Sequence, residues 1–216
     1  MNKKEKKILI TGTSKGVGKS IANKFLKEGF TVIGISRTHS IINDNYLAYT
    51  QDLSDLNGFS KVLDKIKNKH DNIYGVISNA GAGLFGKIEN ISENNLINYF
   101  NLNLLSHILL AKKMISNLKR AKHGIFIFIG SEASRIGGAH GTLYTSAKHG
   151  LLGFFRSFKL EANKSSVRAT IINPGMIRTS FFDNLGFEPG KSKENAIASS
   201  DIAEVVYFTF KSSKYI

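Results

Sequence analysis

Residues 8–20 read ILITGTSKGVGKS. A run of β-prone residues enters a glycine cluster, and the stretch closes on Gly-Lys-Ser. Two kinds of nucleotide-binding loop end a strand in this way. The P-loop of ATPases and GTPases requires a glycine, four further residues and then Gly-Lys-Ser/Thr. Counting back from Gly18 puts that glycine at Thr13, and Gly12 stands one residue too early. A slipped loop misaims the amides that cradle phosphates, so the P-loop reading fails. The G-x-G-x-x-G fingerprint also fails, because Ser14 and Ile21 occupy required glycine positions. What fits is Thr11-Gly12-x-x-x-Gly16-x-Gly18, with Ser14, Lys15 and Val17 inside the loop. Gly12 can turn the chain out of the strand. Gly16 and Gly18 admit a pyrophosphate close to the backbone, and the next helix offers free amides and its positive dipole end.

The rest of the chain alternates in the same manner. Strand-like runs occupy 6–11, 31–36, 46–51, 74–79, 124–130 and 168–174. Helical patterns lie between them. Residues 20–29 carry Ile21, Phe25 and Leu26 on one stripe and stop at Gly29. Residues 56–69 place Phe59, Val62, Leu63 and Ile66 on one face, and 92–121 and 146–163 read as long helices apolar on most faces. Strands alternating with helices predict parallel pairing. The expected fold is α/β, a single Rossmann-type, doubly wound parallel sheet with helices on both faces. One dinucleotide-binding domain over 1–216 is expected from the length.

Composition narrows the function classes. Hydrophobic residues make up 42%, and no apolar run reaches the length of a membrane span. The basic start, MNKKEKK, is followed by too short an apolar run for a signal peptide, so a cytoplasmic protein is expected. There is no cysteine, which removes disulfides and thiolate metal sites. No His-x-x-x-His pair occurs, no metal site is expected, and His140 and His149 are given no chemistry. The net charge of +14 raises the question of nucleic acid. The lysines are scattered among many asparagines and isoleucines, however, with no Arg-aromatic clusters. That is a compositional bias, and neither a nucleic-acid nor a membrane partner is expected.

Three further motifs follow the glycine turn: SNAG at 78–81, YTSAK at 144–148 and NPGMIRT at 173–179. In this order, from about Lys6 to Phe210, the sequence resembles the short-chain dehydrogenase/reductase family. The resemblance implies that Thr11, Gly12, Gly16 and Gly18 form the cofactor-phosphate turn. Asp52 and Leu53 resemble the pair that holds the adenine. Asn79, Ala80 and Gly81 resemble the segment beside the adenine ribose. Pro174, Gly175, Ile177 and Thr179 resemble the segment flanking the nicotinamide. Asn103, a better match than Asn101, would join Ser131, Tyr144 and Lys148 in the catalytic tetrad, where it would hold a water linking Lys148 to solvent. Ser131 stands thirteen residues before Tyr144, the family's usual spacing, and Ser134 is the weaker candidate.

These residue types suit carbonyl reduction. The cofactor carries the hydride, and the protein must supply a proton to oxygen. Tyr144 and Lys148 are four apart and share a helix face. A neighbouring ammonium favours the phenolate and is expected to lower the Tyr144 pKa. Ser131 can hydrogen-bond the carbonyl oxygen as charge develops. The cofactor choice turns on the end of the second strand. NAD-selective sites place an acid there for the ribose 2′-OH, whereas arginine suits a 2′-phosphate. Here Ser36 takes the acid's place, Arg37 follows, and Lys15 adds a second cation. NADP(H) is favoured over NAD(H), and Tyr144 and Lys148 also count as cofactor contacts.

Two features depart from the family pattern. The sequence stops at SSKYI where the last strand would begin, which leaves two readings open, a naturally short tail or a truncated sequence, and puts the completeness of the sheet in question. After Thr179, Phe181, Phe182, Leu185 and Phe187 would face a substrate lid or bury it against the body. The expected reaction interconverts a small-molecule carbonyl and alcohol in a homodimer or homotetramer. A same-fold dehydratase or epimerase and a non-catalytic regulatory protein are the alternatives, and the intact Ser-Tyr-Lys set speaks for simple oxidation or reduction.

Overall fold

The computed structural model describes residues 5–121, 124–179, 181 and 196–212. Its sheet contains β1 (Lys7–Thr11), β2 (Thr31–Ser36), β3 (Tyr46–Thr50), β4 (Ile73–Ser78), β5 (Ile125–Ile129) and β6 (Arg168–Ile172). The order is β3-β2-β1-β4-β5-β6, all parallel. The chain therefore reverses its direction of travel between β1 and β4, and a crevice opens there beyond the strand ends.

Alternation along the strands divides the core into two layers. Leu9, Phe126 and Phe128 point to a layer completed by Phe59, Leu63 and Ile66 of α2 (Leu56–Lys69), Leu110 and Met114 of α4 (Ser106–Arg120), and Leu151 and Phe155 of α5 (Thr142–Asn163). Ile8, Ile10, Ile125 and Ile127 point the other way, against Ile21 and Phe25 of α1 (Gly16–Lys27) and Ile202 and Val206 of α6 (Ser199–Lys211). Both faces of each central strand are buried, as a sheet covered on both sides requires.

Local chemistry sets the helix ends. The Asp55 carboxylate accepts from the Gly58 amide at 3.0 Å and starts α2. Gly29, at φ +86, lets the chain leave α1, and the Phe30 amide bonds the Phe25 carbonyl at 3.0 Å.

The expected fold class holds, with differences in detail. The first helix begins at Gly16 rather than Ser20, because Gly16 and Gly18 belong to its first turn. The helix expected over 92–121 is α3 (Glu93–Phe100), a π turn (Asn101–Leu105) and α4. The helix expected from 146 starts at Thr142. A short parallel pair, β7 (Ile177–Arg178) and β8 (Ile197–Ala198), was not legible as strands. Within the described residues the sheet ends at β6. Of the lid segment Phe181 is described, while Phe182, Leu185 and Phe187 lie outside the described residues.

Candidate active site

The switch between β1 and β4 is stitched by side chains. The Thr11 hydroxyl accepts from the amides of Asn79 at 3.0 Å and Ala80 at 3.1 Å. The Asn79 side chain donates back to the Thr11 carbonyl at 2.9 Å. These bonds hold the Asn79-Ala80-Gly81 segment against the glycine turn. Thr11 is thereby a correction to the expected cofactor contacts. It is buried, its hydroxyl is committed to two amides, and it does not line the cavity.

The turn itself depends on missing side chains. Gly12 has φ +77, and a Cβ there would lie 2.9 Å from the Ala80 Cα. A Cβ on Gly18 would overlap the Gly12 carbonyl oxygen. Lys15 is the N-cap residue of α1 but makes no side-chain cap, and the first turn carries no acid. The helix start is thus left with free donors and its full positive dipole end, which suits a phosphate.

One cavity of about 610 Å³ runs from this turn across the strand ends. Gly12, Ser14, Lys15, Gly16, Val17 and Gly18 line its first part, with Ser36, Arg37, Asp52 and Leu53 beside them. Asn79, Ala80 and Gly81 form its middle. Asn103, Ser131, Tyr144 and Lys148 stand with Pro174, Gly175, Ile177 and Thr179 at the other end. Every expected site residue except Thr11 therefore meets in this cavity. A nicotinamide dinucleotide fits the arrangement: backbone donors and cations for phosphate, then a proton-handling group at the far end.

The Ser36 hydroxyl is engaged by protein groups. It donates to the Thr38 carbonyl at 2.7 Å and lies 3.2 Å from the Thr13 hydroxyl, which in turn meets Tyr46 at 2.7 Å. Arg37 is exposed at the rim. Asp52 sits below the ordinary carboxylate range. Burial opposes its ionisation, but hydrogen bonds from Ser54 and the Arg37 charge outweigh that.

At the reaction end, Lys148 is buried and donates to the Ile129 carbonyl at 3.3 Å. Burial lowers its pKa to about 8. Tyr144 shows the opposite of the expected shift. Burial raises it and Glu132 adds to the rise, while a hydrogen bond with Ser131 opposes both. The physical reason is desolvation of the phenolate, which here exceeds any help from the lysine. Ser131 is held by its amide, which donates to the Asn173 side-chain oxygen at 3.2 Å. Ser134 is buried and does not line the cavity.

Asn103 occupies the π turn and is fully buried. Its side-chain oxygen accepts from the Ala82 amide at 3.0 Å, and its nitrogen donates to the Tyr99 carbonyl at 3.1 Å. The side chain thus ties the loop after Gly81 to the helix. A π turn frees backbone carbonyls from the regular ladder and recurs at functional sites.

Sequence reasoning missed Phe85, Glu132 and His107, and left Phe181 open between a substrate lid and the body. Phe85 and Phe181 flank the Tyr144 ring at 5.4 and 5.8 Å between centroids. Glu132 follows Ser131 and lines the cavity, and its adjacency in sequence was the signal available. His107 sits behind the wall, with Nδ1 2.6 Å from the Ser78 hydroxyl. Burial and the Lys148 charge hold it neutral, with a pKa of about 3. His140 and His149 are exposed. Among the described residues no cluster of three metal-ligating side chains occurs, and no helix is long and apolar enough to cross a membrane.

Comparison with known proteins agrees with this geometry. The family model for short chain dehydrogenases matches residues 6–188. A 3-oxoacyl-(acyl-carrier-protein) reductase of Buchnera aphidicola subsp. Acyrthosiphon pisum is 31% identical, over 86% of this chain and 79% of its own. The sepiapterin reductase of Chlorobaculum tepidum is 28% identical, over 80% and 78%. Among solved structures, an alcohol dehydrogenase from the archaeon Thermococcus sibiricus, complexed with 5-hydroxy-NADP, superposes with a TM-score of 0.84 at 27% identity. It covers 98% of this chain and 92% of its own. A family match of that extent, on a cavity built to this plan, places the chain in the short-chain dehydrogenase/reductase family as an NAD(P)-dependent enzyme.

Proposed function

We propose that the protein is an NADP(H)-dependent oxidoreductase that interconverts a carbonyl and an alcohol, with Tyr144 as general acid and base. One observation carries the reading: a single cavity joins the cations Lys15 and Arg37 at one end to Ser131, Tyr144 and Lys148 at the other. The solved relative bound to 5-hydroxy-NADP supports the cofactor choice.

Within this reading each group has a separate task. The glycine turn and the uncapped start of α1 would hold the pyrophosphate, and Lys15 and Arg37 would answer the charge of a 2′-phosphate. A bound nicotinamide cofactor supplies or accepts the hydride. Ser131 hydrogen-bonds the substrate oxygen as negative charge grows there. Tyr144 gives that oxygen its proton, and Lys148, one helical turn away, stabilises the phenolate left behind. Asn103 fixes the π turn, whose backbone is the place for the expected relay water.

The test is NADPH consumption against a ketone panel, with Tyr144→Phe as the comparison. That variant keeps the ring and deletes the hydroxyl. Turnover should fall by at least about 100-fold, the lower range for a general acid, while NADPH still binds. Turnover near that of the unaltered enzyme would rule out the assignment.

The expected homodimer or homotetramer is part of the proposal. Leu160 on α5 is 68% exposed, a large apolar side chain open to a partner. Light scattering at micromolar concentration should give a multiple of 23.8 kDa. Monomer mass would overturn this.

A further inference from the structure

Two acids line the cavity: Asp52, beside Arg37, and Glu132, which follows Ser131. Lys15 and Arg37 mark the phosphate end. The reacting tyrosine is flanked by the rings of Phe85 and Phe181, and the same cavity is lined by the apolar Ile136 and Met176 as well as by Ser131, Asn103 and Lys148. The carboxylate at this end is Glu132, which begins the turn after Ser131.

Its position is fixed from two sides. The Glu132 amide donates to the Pro174 carbonyl at 2.9 Å. The carboxylate leans over Gly175, where a Cβ would come within 3.3 Å of its oxygen. Gly175 therefore leaves the space that the carboxylate uses. Its charge is felt at Tyr144, whose ionisation it opposes. Glu132 is exposed to the open cavity, and among the described residues it makes no ion pair. An ionised carboxylate can only accept hydrogen bonds. A donor placed beside it is favoured, and a second anion is repelled.

Resting on the reductase reading above, we infer that Glu132 selects the substrate class. The preferred substrate is an otherwise apolar carbonyl compound with a hydrogen-bond donor, a hydroxyl or an ammonium group, next to the carbonyl. A carboxylate in that position is rejected. Glu132 acts on the substrate itself, while Tyr144 and Lys148 act on the proton.

Three matched ketones test this: butan-2-one, 1-hydroxybutan-2-one and 2-oxobutanoate, each reduced with NADPH. A hydrogen bond to a charged group changes binding by about 10- to 100-fold. The native enzyme should prefer the hydroxyketone over butan-2-one by at least about 10-fold in kcat/KM, with 2-oxobutanoate the poorest. Glu132→Val should abolish the hydroxyl preference. Glu132→Gln should raise the relative kcat/KM for 2-oxobutanoate by about 10-fold or more. NADPH and NADP⁺ dissociation constants, measured by fluorescence and calorimetry, report folding and separate the outcomes. If the native enzyme binds NADPH but shows no hydroxyl preference, or reduces none of the three, the Glu132 inference falls and the cofactor reading stands. If substitutions change the NADP⁺ to NADPH binding ratio but not the ketone preference, the charge serves the nicotinamide, and the inference falls. If NADPH does not bind, the reductase reading falls with it.

Discussion

The Lys148 ammonium lies 5.8 Å from the centre of the Tyr144 ring, and its hydrogen bond runs to the Ile129 carbonyl. The two groups share a helix face but hold opposite perturbations. Burial raises Tyr144 and lowers Lys148 to about 8. Reduction needs Tyr144 protonated and Lys148 charged. Tyr144 meets its condition through neutral pH and above, so Lys148 sets the alkaline limit. The kcat/KM for reduction should fall as pH rises through about 8, following the free enzyme's lysine. A pH profile flat to pH 10 would contradict this.

The same lysine should cost stability. Its folded pKa, about 8, lies below the 10.5 of a free lysine. Below about pH 8 both states hold the proton, and the folded state bears the full penalty of a buried charge. Between the two values the unfolded state binds more protons, so this group makes stability rise with pH across that window. Lys148→Met removes the penalty. The cofactor-free variant should be more stable than the native protein at pH 7 by about 1–3 kcal/mol. The difference should shrink as pH approaches 10.5, and activity should be lost. Urea melts at pH 7 and pH 9.5 check both signs.

Thr11 gives a prediction of a different kind, because it supports the site without entering it. Its hydroxyl accepts from two amides, that of Asn79, which is part-buried, and that of Ala80, which is buried. Thr11→Val keeps the shape and leaves those donors unpaired, at a cost of about 1–3 kcal/mol each. Denaturation should show a loss of about 2–4 kcal/mol at the upper end of single substitutions. NADPH binding should weaken through displacement of Asn79. Unchanged stability would mean that the stitch is unimportant.

How much of this could be read from sequence depended on the kind of signal. The two core layers were legible because β1 and β5 alternate side chains between helices on opposite faces. The range 56–69 was recovered residue for residue, since its apolar stripe has an acid cap before it and lysines at its end. The path from 92 to 121 was not. The buried positions Tyr99, Asn103, Leu110 and Met114 keep one stripe at helical spacing, so the sequence pattern carries no sign of the π turn between α3 and α4. Leu96, Ile97 and Leu105 lie outside that stripe and are exposed, which made one helix look apolar on most faces. That Asn103, Ser131, Tyr144 and Lys148 line one cavity was legible through spacing and family resemblance, but the rise in Tyr144 was not, because desolvation depends on walls contributed from distant parts of the chain. Ser36 was placed at the correct corner, yet nothing in GISRT shows that its hydroxyl serves Thr38 and Thr13.

That orientation of Ser36 sharpens the cofactor argument. With its proton given to the Thr38 carbonyl, Ser36 supplies no carboxylate for a ribose hydroxyl, and Arg37 and Lys15 remain exposed. Neither cation is buried, so forming a bond to a 2′-phosphate involves little desolvation penalty. Arg37 has a competing neighbour in Asp52, whose ionisation it favours. Asp52 is already served by the Ser54 amide and hydroxyl at 2.9 and 2.7 Å, which leaves the guanidinium's remaining donors for a phosphate. A hydrogen bond to a charged group contributes about 1.5–3 kcal/mol. Arg37→Ala should therefore weaken NADPH binding by about 10- to 100-fold, and Lys15→Ala should do so by a smaller factor, as a flexible point charge. NADH lacks the phosphate and should lose less than about 3-fold in either variant. The preference should also shrink as salt rises, because both cations are open to solvent. Dissociation constants for both cofactors at two ionic strengths decide the matter. Equal weakening of NADPH and NADH by Arg37→Ala would show that the arginine supports the cavity rather than the phosphate, and equal native affinities would remove the NADP(H) preference altogether.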